Sequence, residues 1–306
     1  MRHLHRHRHL LLFLTVYATA LAVLALGGRP LEDVIGALLI LGVFLPSVAL
    51  LATARMPRPE PPAPWQARER WLLPGLLGWA VAFLVLKGPL LAAVLPDGAD
   101  PRLHETVDTL LKITALVVVP AVVLRNAGFR WRQTGRPVAS RARLWVAFLV
   151  VAAAGFAVQA LIGSQFKRLL AGDYTPLELW LGGALCYAWV TVEAGLVEEF
   201  FFRGFLQSRL AAWTRSEIGG VLIGALLFGL AHAPGILLRG AGAVEGLGES
   251  PDVLTTLAYV VATQGLAGLV FGVLWARTRS FVLVVALHGF IDALSNSARF
   301  IELWLR

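Results

Sequence analysis

Long apolar runs separated by short polar connections set the pattern of this chain. A helix needs about 20 apolar residues to cross a hydrocarbon core, and about nine windows meet or approach that length. They run over 10–26, 31–54, 71–95, 104–124, 143–163, 177–206, 217–238, 253–275 and 280–304. The pattern predicts an all-α polytopic membrane protein with about eight or nine transmembrane helices, since helices satisfy their own backbone groups in lipid. The fourth window is the weakest because it holds Asp108 and Lys112. Their i,i+4 spacing allows a helical ion pair that lowers the cost of insertion.

The connections alternate in charge. Arg2, Arg6 and Arg8 precede the first window, Arg55, Arg58, Arg68 and Arg70 follow the second, and arginines from Arg125 to Arg143 follow the fourth. Arg209 and Arg215, then Arg277 and Arg279, continue the series, whereas the intervening connections carry Glu32, Asp33, Asp97, Asp100, Glu105, Asp173, Glu178, Glu245, Glu249 and Asp252. By the positive-inside rule the arginine-rich face is cytoplasmic, with the N-terminus on it and the C-terminus opposite. The prolines between Met56 and Pro64 cannot continue a helix and read as an extended linker. Gly240 to Pro251 reads as a flexible acidic loop over one mouth of the later bundle.

Composition agrees with a membrane protein: 58% of residues are hydrophobic, only 15% are charged and the mean hydropathy is +0.72. The net charge of +8 resides mainly in the loops, so it speaks for orientation and against nucleic-acid binding, for which no folded basic domain is left. One cysteine, Cys186, excludes an internal disulfide and a cysteine-based metal cluster. The histidines of the opening Arg-His-Leu-His-Arg-His-Arg-His read as a solvated basic tail before an uncleaved anchor. Trp71, Trp145, Trp180, Trp213 and Trp275 fall near window ends, where an interfacial belt explains them. Gly182, Gly183, Gly265 and Gly268 suit close helix packing.

Against this background Glu198-Glu199-Phe200-Phe201-Phe202-Arg203 stands out, with two acids and an arginine inside an apolar window. A charge at the centre of a bilayer costs at least about 2.5–3.5 kcal/mol, so such groups need a partner or a job. Glu199 and Arg203 are i,i+4 with the acid N-terminal, the better orientation for a helical ion pair. Glu198 points about 100° away and is free to face a cavity. Phe228 and His232 share a face of the seventh window, and His288 and Asp292 share a face of the last. On the same helix as the two acids, Glu193 either lines the cavity or bonds a neighbouring span.

Two histidines, an Asp and an unpaired Glu in separate late spans form a set suited to hydrolysis. Desolvation turns a carboxylate among apolar neighbours into a competent base towards water near neutral pH. A histidine can orient that water or protonate the leaving amine, and a second can help to stabilise the oxyanion. Ser164, Ser208, Ser216, Ser250, Ser280 and Cys186 lack a nucleophile's context, so covalent catalysis is not favoured. Two histidines and an acid also make a reasonable open zinc site, which leaves a zinc metalloprotease as an alternative. A non-catalytic membrane scaffold, whose polar cluster only ties helices together, is the third reading.

The residues resemble the CPBP family, which comprises CAAX prenyl endopeptidases of the Ras-converting type and bacterial bacteriocin-processing or immunity proteins of the Abi-like group. Its motifs Glu-Glu-x-x-x-Arg, Phe-x-x-x-His and His-x-x-x-Asn/Asp are met in order by Glu198-Glu199 with Arg203, Phe228 with His232, and His288 with Asp292. The resemblance implies a glutamate-dependent intramembrane protease without an obligatory metal or other cofactor. In it Glu198 activates water, His232 shares in handling that water, and His288 with position 292 forms the oxyanion side. Asp292 stands where eukaryotic members have Asn. An ionised Asp cannot donate to an oxyanion, so Asp292 is either protonated or orients His288.

The expectation is therefore a helix bundle with a protease core at 141–306 and further spans of unknown role at 1–140. Its partners are the lipid bilayer and a protein or peptide substrate in or near the membrane. An arginine-rich, lysine-poor composition suggests a GC-rich bacterial genome and the inner membrane, which argues against prenylated substrates and towards C-terminal sorting, as in the myxosortase-like branch. Counting ~1.5 Å per residue from the cytoplasmic ends puts Glu198 and His288 about 12–14 Å deep and His232 about 22 Å deep. A helix start delayed by Gly219-Gly220, or helix tilt, would close that gap.

Overall fold

A computed structural model describes residues 2–96, 98–239, 247 and 252–306, with side chains from Arg8 onward except that of Arg239. Among them nine helices are long and apolar enough to span a membrane. They are α1 (Arg8–Leu26), α2 (Glu32–Thr53), α3 (Glu69–Val94), α4 (Pro101–Asn126), α5 (Arg141–Ile162), α6 (Pro176–Thr214), α7 (Glu217–Leu238), α8 (Val253–Thr278) and α9 (Phe281–Trp304). The chain is an all-α integral membrane protein. Most of the loop expected between Gly240 and Pro251 lies outside the described residues, as does Asp97.

Loop contacts sort the helix ends onto two faces. On the first, Glu60 bridges to Arg136, Ala63 N–H donates to the Gln133 carbonyl, Arg277 donates to the Thr53 carbonyl at 2.7 Å, and Arg279 pairs with Glu217. On the second, Arg299 pairs with Glu105, Tyr174 donates to Glu302, and Arg306 pairs with Glu178 at 2.8 Å. The arginine-rich connections thus share one face and the C-terminus lies on the other, as nine alternating spans require. The proline segment does more than link. Its carbonyls at Ala63 and Pro64 accept from Arg209, which also makes a two-point pair with Glu69 at 2.6 and 2.9 Å.

Helix α8 carries none of the motif residues yet forms the axis of the bundle. Its apolar window is 72% buried, against 17% for α3. Glycines make this possible: a Cβ at Gly268 would stand 2.9 Å from the Ala225 Cα, and one at Gly229 would stand 2.7 Å from the Gly265 nitrogen. Backbones that touch in this way gain packing that no side chain has to supply. Gly182 likewise faces Ile301, whereas Gly183 meets nothing within 4 Å, so its expected packing role is not seen.

Three other expectations change. Trp275 is fully buried and its indole N–H donates to Ser208 at 2.9 Å, so it is a core residue and not part of the belt formed by the exposed Trp71, Trp145, Trp180 and Trp213. An indole satisfied inside the protein has no need of the interface. The opening basic segment is helical from Arg2, continuous with α1, and its His9 is buried. Finally, α7 starts without delay at Glu217, where Ser216 accepts from Gly219 N–H at 3.0 Å. Gly219 and Gly220 serve packing instead, because a Cβ at Gly220 would meet that of Ala211 at 2.7 Å.

Candidate active site

The site is built where α6 and α9 approach backbone to backbone. A Cβ at Gly195 would stand 2.7 Å from the Val285 carbonyl oxygen, and Gly289 faces Thr191 in the same way. That proximity carries His288 to Glu199, whose Oε1 accepts from Nδ1 of His288 at 2.7 Å. The same oxygen lies 3.2 Å from a guanidinium nitrogen of Arg203, as the i,i+4 spacing predicts. Glu199 is fully buried and held from two sides. It is an architectural carboxylate that fixes one histidine as well as one arginine.

Arg203 ties α6 to two further helices. Its guanidinium lies 4.1 Å from the Phe228 ring centroid and 5.4 Å from that of Phe271, and it donates to the Gly268 carbonyl at 3.4 Å. A desolvated cation over aromatic faces recovers from their quadrupoles part of what it loses in hydration, and Glu199 supplies the counter-charge. Phe271 in turn stacks on the imidazole of His288 at 4.6 Å and 14°. Sequence spacing had no means of placing Phe271 there, since it belongs to α8 and to no motif.

With Nδ1 of His288 engaged, its Nε2 faces the two remaining acids. Glu198 Oε2 lies 3.8 Å away and Asp292 Oδ2 3.4 Å away. Glu198 keeps 26% of its side chain exposed where Glu199 keeps none. Adjacent residues of the same type are thus separated into a locked acid and a reachable one. Two π-helical stretches of α6, Thr191–Leu196 and Glu199–Gln207, flank this point: Glu199 opens the second and Glu198 lies in the short join between them. Such turns re-aim side chains relative to a regular helix and recur at functional sites.

His232 is placed by a break in α7. The first part of the helix ends at Leu230 and a short helix restarts at Ala233, because Pro234 has no N–H to continue the ladder. The His232 N–H turns to the Gly229 carbonyl, which leaves the Phe228 carbonyl to accept from Nδ1 of His232 at 2.9 Å. A carbonyl can only accept, so Nδ1 carries the proton and Nε2 of a neutral ring is left as the acceptor. Phe228 joins the two histidines, with ring centroids 4.9 Å from His232 and 6.4 Å from His288.

Residues 178–294 match the family described as type II CAAX prenyl endopeptidase, Rce1-like. That segment belongs to the CPBP/CAAX protease family. It contains all three motif pairs and gives the chain the core of a CAAX-type intramembrane protease, whose substrates are associated with the membrane. No curated protein and no solved structure matches the chain. The segment's expected residues Glu198, Glu199, Arg203, His288 and Asp292 converge directly, while His232 joins through Phe228.

Around the CAAX-protease core, sequence reasoning missed one feature and foresaw a second, the bond of Glu193 to a neighbouring span, without naming its partner. On the arginine-rich side, Trp131 stacks on Phe200 at 5.5 Å and packs edge-on against Phe281 at 5.2 Å, over Gly204, which has no side chain to obstruct it. From the other side, Lys112 of α4 pairs with Glu193 of α6. Among the described residues no three His, Cys, Asp or Glu side chains are grouped as a metal ion requires.

Proposed function

We propose that this chain is a glutamate-dependent intramembrane endopeptidase in which Glu198 is the base. The observation that carries the reading is the division of labour between the two acids: Glu199 is spent on Arg203 and His288, whereas Glu198 is partly exposed and 3.8 Å from Nε2 of His288. Glu198 takes a proton from water as the water oxygen adds to the scissile carbonyl carbon. The proton then passes to the amide nitrogen as the C–N bond breaks, releasing an amine and a carboxylic acid and restoring the carboxylate. Nε2 of His232 accepts from the water and orients it. His288 stabilises the developing oxyanion, and Asp292, 3.4 Å from its Nε2, orients it.

The substrate is a membrane-anchored protein or peptide cut near its anchor, in a bacterial inner membrane with the N-terminus cytoplasmic. Comparison of membrane and secreted peptides between wild-type and Glu198→Gln cells tests this. Loss of one processed product in the variant, with the protein present and folded, is the expected result. Unchanged processing would defeat the proposal in favour of a scaffold. Activity abolished by a chelator and restored by Zn²⁺ would replace the metal-free mechanism with a zinc-dependent one.

A further inference from the structure

The polar side chains do not stop at the family-matched segment. Lys87 of α3 donates to Asp108 of α4, with Nζ 2.8 Å from Oδ1 and 3.1 Å from Oδ2. Asp108 Oδ2 is in turn 3.3 Å from Nζ of Lys112, one helical turn on, and Lys112 donates to Glu193 Oε1 of α6. Plus, minus, plus and minus thus run across three helices and end on the helix that carries Glu198. An alternating chain of this kind is neutral as a whole and lets four charges share a membrane interior that would reject each alone.

Its last member has a consequence for the site. Glu193 lies within the π-helical turn Thr191–Leu196, five residues before Glu198, and the first turns of α4 pack against that same stretch. Lys112 also lies within electrostatic reach of Glu198 itself. The charged groups around Glu198 are then His288 and Asp292 from α9, Glu199, Arg203 and Glu193 from its own helix, and Lys112 with its partner Asp108 from α4. His232 stands beyond Phe228. Arg203 is bound to Glu199 and is also within electrostatic reach of Glu198, so Lys112 of α4 is a second cation near that carboxylate, contributed by a different helix.

We propose that Lys112 is a positioning residue of the Glu198 centre: through Glu193 it fixes the π-helical turn leading to Glu198, and its ammonium charge balances that carboxylate. This rests on Glu198 as the base and gives α3 and α4, which lie outside residues 178–294, a part in the site. Removing Lys112 strips Glu198 of a cation and frees the negative charge of Glu193. Removing the charge of Glu193 does the reverse. A strut that merely holds helices together would not make the two substitutions act in opposite directions.

The test is an infrared titration of the full chain in lipid nanodiscs, with the carboxyl band of Glu198 identified by its loss in Glu198→Gln. Removing an opposite charge disfavours the ionised carboxylate, so Lys112→Met is expected to move the midpoint upward. Glu193→Gln, which keeps the side chain's size and carries the test if Lys112→Met does not fold, is expected to lower it. Lys112→Arg should stay near wild type. Equal midpoints in all variants, or a Glu198 that remains ionised throughout in Lys112→Met, would overturn the inference. The measurement needs no substrate, so its failure is distinct from retained processing by Glu198→Gln cells, which would refute the base itself.

Discussion

Nδ1 of His288 donates to Glu199 Oε1 at 2.7 Å, across 89 residues of sequence and between two helices. This bond makes Glu199 the hinge point of the site, because the same oxygen is 3.2 Å from the buried Arg203.

Neighbouring Glu→Gln substitutions should therefore part company. Glu199→Gln leaves Arg203 buried without a counter-charge, and breaking a buried pair costs about 3–5 kcal/mol. Glu198→Gln changes a partly exposed group that makes no side-chain hydrogen bond among the described residues and should leave stability within about 0.5 kcal/mol of wild type. Thermal unfolding in detergent, run beside the processing assay, should show Glu199→Gln losing both stability and activity and Glu198→Gln losing activity alone.

Pro234 creates the break that turns His232 towards the Phe228 carbonyl. With Pro234→Ala the helical ladder can continue, and the backbone N–H of His232 competes for that carbonyl. The fold should survive, yet a displacement of a catalytic group by about 1 Å costs about 100-fold in rate. Normal unfolding with sharply reduced processing is the expected outcome. Unchanged processing would remove His232 from the mechanism or show that its position does not depend on the break.

Arg209 and Glu69 form a buried two-point pair that also holds the carbonyls of Ala63, Pro64 and Gln133. Glu69→Ala is expected to cost about 3–5 kcal/mol by stranding the guanidinium. Arg209→Lys should be intermediate, since an ammonium keeps the charge but cannot reproduce the fork. Limited proteolysis at 57–66 would report the release of the proline segment in step with the loss of stability.

Asp252 caps α8, accepting from the Thr255 hydroxyl at 2.7 Å and from its N–H at 2.9 Å. The Thr255 hydroxyl, and then its backbone N–H, hold this carboxyl below the usual carboxylate range. A depressed folded-state value stabilises above the unfolded value and fades as pH falls through the folded one. Amide exchange over the first turn of α8 should accelerate as the medium is acidified below the ordinary carboxylate range. Asp252→Asn, which caps without titrating, should show no such dependence.

How much of this was legible beforehand varies residue by residue. Glu199 with Arg203 and Asp108 with Lys112 could be paired from spacing alone, because i,i+4 contacts are fixed by the helix and need no knowledge of its neighbours. The nine spans followed from hydropathy and the two faces from the alternation of charge between them, both of which are local properties of the chain. Trp275 misled, since a position near a span end does not say whether the ring turns outward or, as here, inward to Ser208. His232 and Phe228 were placed on one face of α7, as their ring contact requires, but the bond from His232 Nδ1 to the Phe228 carbonyl was not legible, because it depends on the break before Pro234.

The sequence by itself determined the class of protein, the motif residues and their local partners, all of which rest on contacts within about one helical turn. Only the tertiary structure decided that Glu199 also holds His288, that Phe271 of a motif-free helix stacks on that imidazole, and that Lys112 reaches Glu193. These contacts depend on how closely helices approach, and that distance is set by glycines such as Gly195 and Gly289, whose effect appears only when the facing backbone is known. Helical periodicity fixes which face a side chain occupies; packing fixes what stands opposite it.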